Sequence, residues 1–332
     1  MEPTPQVQRI LGVPVMPQLP ARLAFTQGKM WHAILSDPTS AVSADTNTGK
    51  STRQALRTIG AVLGKMAANR NDIGFLYGAG NAANACSSRL AATLAWNLDL
   101  THLFSPTSSI YSQRARVAFE AAYATASNLM TLSAHGCSFE GIQFFAGVAS
   151  ANPTGCVKIT GTRNYFKHCH VAGIGNDAND IAGAYSLQFD AASENFFEDC
   201  VIGLGTTDAG TNANAEIEFK TASSRQYFKN CLIVRRIEHG TNHPLVKVTG
   251  ATGIEDVTIF ENCGFVSYAT NRAFRQAGVF KFTATPTKGE IILKDCWGVG
   301  ADKWDVDDLD RITLVNTPAA PAADTAGLEL LV

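Results

Sequence analysis

Long apolar runs are missing from this 332-residue chain. None approaches the roughly 20 residues that cross a bilayer as a helix, so no membrane anchor is expected. The opening MEPTPQVQRILGVPVMPQLP lacks the charged start and extended apolar centre of an export signal. Charge is sparse, at 17% of residues with a net of −2, and no Lys/Arg-rich run occurs. A nucleic-acid partner, whose phosphates demand clustered basic residues, is therefore disfavoured. None of the eight cysteines forms a CxxC pair, which removes the zinc-knuckle and thioredoxin-type readings. The leucine framework of a leucine-rich repeat is absent too. What remains, with 45% apolar residues, is a chain able to bury a real core.

The cysteines carry a different signal. Cys137, Cys169, Cys200, Cys231, Cys263 and Cys296 follow one another at 32, 31, 31, 32 and 33 residues. A regular period of this size marks a repeat. Aligned on cysteine, the segments read NYFKHCHV from Asn164, NFFEDCVI from Asn195, QYFKNCLI from Gln226, TIFENCGF from Thr258 and IILKDCWG from Ile291. The pattern is apolar, apolar, charged, turn-former, Cys. In the first copy only Gly136-Cys137-Ser138-Phe139 fits. The residue before each later cysteine is His168, Asp199, Asn230, Asn262 or Asp295, types suited to a bend between strands. Upstream lies a second alternating segment: Val157-Lys158-Ile159, Leu187-Gln188-Phe189, Ile217-Glu218-Phe219, Val246-Lys247-Val248 and Val279-Phe280-Lys281-Phe282.

Two or three short strands per fixed period, with no helix between them, predict an all-β fold, a right-handed single-stranded parallel β-helix with coils of about 31–33 residues. Adjacent coils lie roughly 4.8 Å apart, so like residues stack on like. The cysteines form an internal column, as do Phe166, Phe197, Phe228 and Phe260. A disulfide ladder is the competing reading; strand geometry and the missing export signal count against it.

Four segments follow: an extended proline-rich arm over 1–29, an N-terminal cap over 30–72 with a helix at 51–67, the β-helix over 73–316, and a linker with an apolar tail over 317–332. Pro3, Pro5, Pro14, Pro17 and Pro20 deny the arm a helix or an inner strand. Leu56, Ile59, Val62, Leu63 and Met66 fall at helical spacing behind Ser51 and Thr52, so this helix is expected to close the lower end of the solenoid. Ile73-Gly74-Phe75-Leu76-Tyr77 is read as the first strand. Past Pro318-Ala-Ala-Pro321, the tail Leu328, Leu330, Leu331 and Val332 is expected to act as a lid on the upper coil rather than as a partner contact.

Several motifs suggest chemistry and have plainer explanations. Thr48-Gly49-Lys50-Ser51 looks like part of a phosphate-binding loop, but Ala44 stands where the motif needs its first glycine, and a capping loop accounts for it. His168-Cys169-His170 is metal-like, yet Cys169 belongs to the inner column and no further ligand is fixed by spacing. Asp302, Asp305, Asp307, Asp308 and Asp310 could hold calcium, but lack the glycine and glutamate of an EF-hand loop and read as a solvated acidic loop. The strongest enzymatic candidate is an outer-face group of Asp190, Glu194, Glu198, Asp199, Glu216 and Glu218. Two carboxylates roughly 5–9 Å apart could cleave a glycan as acid and base or nucleophile. Lys220, Arg225 and Lys229 lie close in sequence, so salt-bridged surface rows explain the same residues. No catalytic, cofactor-binding or metal site is assigned, and no cofactor is expected.

Two resemblances enter here. Asp37-Pro38, Asp45-Thr46-Asn47-Thr48-Gly49-Lys50-Ser51, Ala55-Leu56-Arg57-Thr58-Ile59 and Asn71-Asp72-Ile73 resemble the entry to pectate-lyase-like right-handed β-helices. Trp96-Asn97, Thr101-His102-Leu103, Gln113-Arg114-Ala115-Arg116, Asn164-Tyr165-Phe166, Ala172-Gly173-Ile174-Gly175, Glu198-Asp199-Cys200-Val201-Ile202-Gly203 and Asn214-Ala215-Glu216-Ile217 look like a group of tailed-phage β-helix proteins of uncharacterised role, often encoded near capsid genes. Residues 1–35 fit that group's usual start poorly. The resemblance implies a virion protein assembled in the host cytoplasm. The leading expectation is a non-enzymatic capsid decoration or cement protein, a homotrimer bound through its arm to the major capsid protein or another virion protein. The alternative is a tailspike or receptor-binding β-helix that grips or cuts surface polysaccharide.

Overall fold

Side chains that repeat once per coil can satisfy one another only if the coils stack in register, and the chain does this throughout its middle. In the computed structural model the strands wind into a right-handed parallel β-helix of about six turns. Residues 28–35, 43–78, 87–106, 115–121, 123, 125, 127–209, 212–237, 244–269, 276–307 and 309–322 are described, with the backbone of 9–10 and 13–14. Among the described residues the strands form three parallel sheets. Sheet 1 has ten strands, from Met30–Leu35 to Ile312–Val315; sheet 2 has eight, from Ser87–Leu90 to Trp297–Val299; sheet 3 has seven, from Leu94–Trp96 to Phe280–Phe282. One coil runs through Tyr165–Lys167 in sheet 1, His170–Ala172 in sheet 2 and Tyr185–Asp190 in sheet 3.

The bend from sheet 1 to sheet 2 is a single left-handed residue. His168, Asp199, Asn230, Asn262 and Asp295 have φ of 49°, 53°, 53°, 50° and 54°. Asn and Asp enter this region at the least cost among residues that carry a side chain. The following cysteine turns into the core, where each thiol donates to the carbonyl of a phenylalanine one coil below. Cys169 Sγ reaches Phe139 O at 3.4 Å, Cys200 reaches Phe166 O at 3.5 Å, Cys231 reaches Phe197 O at 3.5 Å, Cys263 reaches Phe228 O at 3.6 Å and Cys296 reaches Phe260 O at 3.2 Å. All seven described cysteines are free and buried; Cys86 lies outside the described residues. Beside them Phe139, Phe166, Phe197, Phe228 and Phe260 are fully buried and stack with ring centroids 4.8, 4.7, 5.0 and 4.5 Å apart.

Cys137 does not belong to this column. Ser138 pairs with Tyr165 and Phe139 with Phe166, which aligns Cys137 with Asn164, while Gln143 pairs with His170 and so places Ile142 at the cysteine level. The first copy is Ser138-Phe139-Glu140-Gly141-Ile142, with Gly141 at φ 71° in the bend. This coil is 27 residues long from Ile142 to Cys169, four fewer than the next, because its connections from sheet 2 to sheet 3 and from sheet 3 to sheet 1 are both short. Cys137 instead stands under a buried amide ladder. Its N–H donates to Asn164 Oδ1 at 2.9 Å, that of Asn164 to Asn195 Oδ1 at 3.0 Å, and that of Asn195 to Gln226 Oε1 at 3.2 Å.

Both ends differ from expectation. The lower cap is no helix over 51–67: Thr52–Gln54 is a 3₁₀ turn, Leu56 bridges to Ala33, and the α-helix is Ile59–Leu63 only. Thr58 caps it by accepting the Ala61 N–H. Two neighbours dictate the break: Leu56 exchanges backbone hydrogen bonds with His32 and Ile34, which a helix at that point would forfeit. The apolar stripe still does its work, because Leu56, Ile59, Val62 and Met66 are buried in the main core with Trp31 and Leu76. Sheet 1 also begins earlier than residue 73, with Met30–Leu35 paired along Asp72–Gly78. In the arm, Arg9–Ile10 and Val13–Pro14 pair antiparallel. At the top, Trp304 is buried and donates to Pro318 O at 2.8 Å, and Ala322 bridges to Val299. The linker therefore closes the upper coil; the apolar tail lies outside the described residues.

Candidate functional site

Outward-facing residues also stack into rows, and any site must be built from them. The six carboxylates are all engaged. On sheet 3, Asp190 pairs with Lys158 at 2.7 Å, and this outweighs the upward push of burial to hold its pKa below the ordinary value. Glu218 accepts from Gln188 at 2.6 Å and Thr249 at 2.7 Å and pairs with Lys247 at 3.1 Å. Glu216 is buried against Arg235 at 3.0 Å and accepts from Ser186 at 2.5 Å. Glu194 lies between Arg163 at 2.6 Å and Arg225 at 2.9 Å, whose hydrogen bonds depress its pKa. Asp199 faces His168 Nε2 at 3.2 Å, and Glu198 faces Lys167 at 3.5 Å and accepts from the Tyr165 hydroxyl.

Acid–base cleavage of a glycan requires one carboxyl held protonated beside one held ionised. Asp190 and Glu194 are both shifted toward ionisation, the wrong direction for the acid. Glu140 is pushed up by burial, but the acid sharing its row, Glu198, stands two strands away with Lys167 between them. Five of the six residues are thus held in ion pairs, and Asp199 accepts from Asn230 Nδ2 at 3.1 Å. The other motifs resolve in the same way. Gly49, at φ 72°, seats the capping loop beneath Leu56. Asp305 accepts the N–H groups of Asp307 and Leu309, and Asp307 accepts that of Phe282. Cys169 points inward between His168 at the bend and His170 on the outer face of sheet 2.

His170 belongs to a polar line that the sequence pattern did not reveal. Arg116 Nε donates to Gln143 Oε1 at 2.6 Å, Gln143 Nε2 donates to His170 Nδ1 at 3.0 Å, and His170 Nε2 donates to Gly203 O at 2.9 Å. The guanidinium fixes the amide, and the amide fixes the neutral tautomer of the imidazole. Burial lowers the pKa of His170 to match. Higher on the same face the row turns apolar through Val201 and Leu232 to Gly264 and Trp297. The Trp297 indole lies over Gly264, where a Cβ would stand 2.4 Å from Cζ2, and the side chain is 46% exposed.

Sheet 1 presents the most regular outer face. Tyr165, Phe196, Tyr227, Ile259 and Ile292 form one row, with Phe196 tilted against Tyr165 at 5.3 Å and stacked on Tyr227 at 4.9 Å. Beside them runs the row Glu140, Lys167, Glu198, Lys229, Glu261, Lys294. Opposite charges adjoin along it, as in Lys294–Glu261 at 2.7 Å.

No family model matches the chain, and no curated protein does. Among solved structures, pectin methylesterase PemA from Erwinia chrysanthemi aligns with a TM-score of 0.54 at 12% identity, over 90% of this chain and 90% of that one. A pectin methylesterase in complex with a hexasaccharide aligns at 0.53 and 12% identity, over 90% of this chain and 96% of that one. At that identity the likeness establishes the parallel β-helix fold and nothing about chemistry. A Geobacillus virus E2 protein, ORF18, aligns at 0.35 and 10% identity, over 78% of this chain and 55% of that one.

Proposed function

We propose that this β-helix is a non-catalytic structural protein of a tailed-phage particle, a capsid decoration or cement protein held to the shell by its N-terminal arm. The observation that carries the reading is the engagement of all six candidate carboxylates by a cation or hydrogen-bond donor, which makes those rows stiff and chemically quiet. The sequence resemblance to tailed-phage β-helix proteins supports the virion setting. A proline-rich arm supplies extended backbone that a partner's sheet edge can take up.

The test is antibody labelling of intact purified particles viewed by electron microscopy. Label over the head shell is expected; label confined to the tail replaces this reading with the tailspike one, and unlabelled particles refute the virion assignment. Deleting residues 1–22 should leave a folded β-helix that no longer joins particles, and unchanged incorporation would refute the arm's role. One observation favours the glycan-gripping alternative: Trp297 presents an indole backed by Gly264 and half open to solvent. Retention of the chain on a host-polysaccharide column, abolished by Trp297→Ala, would support it.

A further inference from the structure

The outer face of sheet 1 carries a second charged row on the other side of its aromatics. Arg163, Glu194, Arg225 and Asp256 alternate along the bend between sheets 3 and 1, joined at 2.6, 2.9 and 3.0 Å. The two rows are in phase. Arg163 shares a coil with Lys167, Glu194 with Glu198, Arg225 with Lys229 and Asp256 with Glu261. The face is therefore banded across the solenoid axis, positive and negative coils alternating, with a half-buried apolar row down the middle.

We propose that this face binds a second copy of the chain in an antiparallel, two-fold pair. A two-fold axis lying across the face between the Glu198 and Lys229 coils reverses the solenoid direction while keeping each row on its own kind. Glu198 then meets the partner's Lys229, Lys167 meets the partner's Glu261, and Glu140 meets the partner's Lys294. On the other row Glu194 meets the partner's Arg225, and Arg163 meets the partner's Asp256. Both rows have an even number of members and the same centre, so every band meets its opposite. The parallel two-fold alternative sets each coil against its own copy and opposes like charges at every level. Between the charges, Phe196 and Tyr227 bring ring edges against the partner's Tyr227 and Phe196.

A two-fold interface is self-complementary in just this sense. The contact covers six strands at about 4.8 Å and about five residues at about 3.3 Å, roughly 500 Å² per copy. That is roughly 1,000 Å² in all, at the lower limit for a specific interface, so the pair is weak and salt-sensitive. On this proposal the chain is a dimer, where the sequence led to the expectation of a homotrimer. The entry strand Met30–Leu35 is the lower edge of sheet 1, so an antiparallel pair carries its two arms at opposite ends.

Sedimentation equilibrium of the full chain over a range of concentration and salt tests the stoichiometry, and carbodiimide coupling followed by peptide mapping tests the geometry. Within one chain Glu140 and Lys294 are five strand steps apart on sheet 1, about 24 Å. A zero-length bond between them forms only across the antiparallel pair. A dimer that weakens with salt and yields the Glu140–Lys294 bond is expected. A chain that stays monomeric, a trimer, or a dimer without that bond overturns the proposal. A variant with all six signs exchanged (E140K, K167E, E198K, K229E, E261K, K294E) keeps each internal neighbour opposite in charge. It should pair with itself and not with wild type, and hybrid formation would overturn the antiparallel register.

Discussion

The phenylalanine column offers the sharpest test of how the coils hold together. Phe228 is fully buried, stacked on Phe197 at 5.0 Å and 14° and on Phe260 at 4.5 Å and 8°, with Phe189 edge-on at 5.9 Å. Phe228→Ala should cost about 3–5 kcal/mol from lost burial and the residual cavity. Stacked rings contribute about 0.5–1.5 kcal/mol per pair beyond burial. A double-mutant cycle of Phe197→Leu with Phe228→Leu should therefore show a coupling of about that size, read from urea unfolding followed by far-UV circular dichroism. Phe139 and Phe228, three strand steps and about 14 Å apart on the same column, should be additive within about 0.5 kcal/mol. If the adjacent pair were equally additive, the rings would be filling space and nothing more, and the column would not be a source of coil-to-coil register.

Asn195→Ala should cost about 2–4 kcal/mol in the same unfolding assay, because it removes the acceptor of two Asn164 donors inside the core; a cost below about 1 kcal/mol would refute the ladder's role. Cys231→Asp should abolish soluble folded protein, since it buries an unpaired charge, whereas Cys231→Ala should fold; wild-type-like melting of the Asp variant would show the column to be misplaced. Stability should also fall between pH 7 and pH 5. Burial depresses the folded pKa of His170 below its ordinary 6.5, so the unfolded chain takes up a proton that the native one refuses, and the stabilisation present above pH 6.5 is lost as pH falls toward the folded value. Buried His32 acts in the same direction and Glu140, shifted up by burial, acts against it, so the comparison is with His170→Gln, which should flatten the slope; an unchanged slope would show that His170 titrates freely.

The solenoid was legible because its period is written in the residues that bend the chain. Five turn-formers each precede a cysteine at 31–33-residue spacing, and the structure puts all five in the left-handed bend. The same spacing misled at Cys137, where a coil four or more residues shorter than those above it brought a cysteine of the amide ladder to the expected distance. The signal for the true copy was present: Phe139-Glu140-Gly141-Ile142 keeps the apolar, charged, turn-former, apolar order with isoleucine for cysteine. Helical spacing over 51–67 was read as one helix, yet the stripe is shared between a bridging residue and a short helix, because backbone partners in Met30–Leu35 compete for it. The line from Arg116 to His170 was out of reach, since it depends on side chains one coil apart whose types differ at every step.

The charge bands of sheet 1 mark the point where internal needs stop dictating sequence. Strands roughly 4.8 Å apart force neighbours along a row to alternate in sign, and that alone explains Glu140 through Lys294 and Arg163 through Asp256. It does not fix the phase of one row against the other. Arg163 and Lys167 are four residues apart along a strand, about 13 Å, beyond a Debye length of about 8 Å at physiological salt. Equal or opposite signs within a coil therefore cost the monomer almost the same. An in-phase pattern held over four successive coils is indifferent to folding, and it is the arrangement that gives a flat face one complementary partner, its own copy turned end for end.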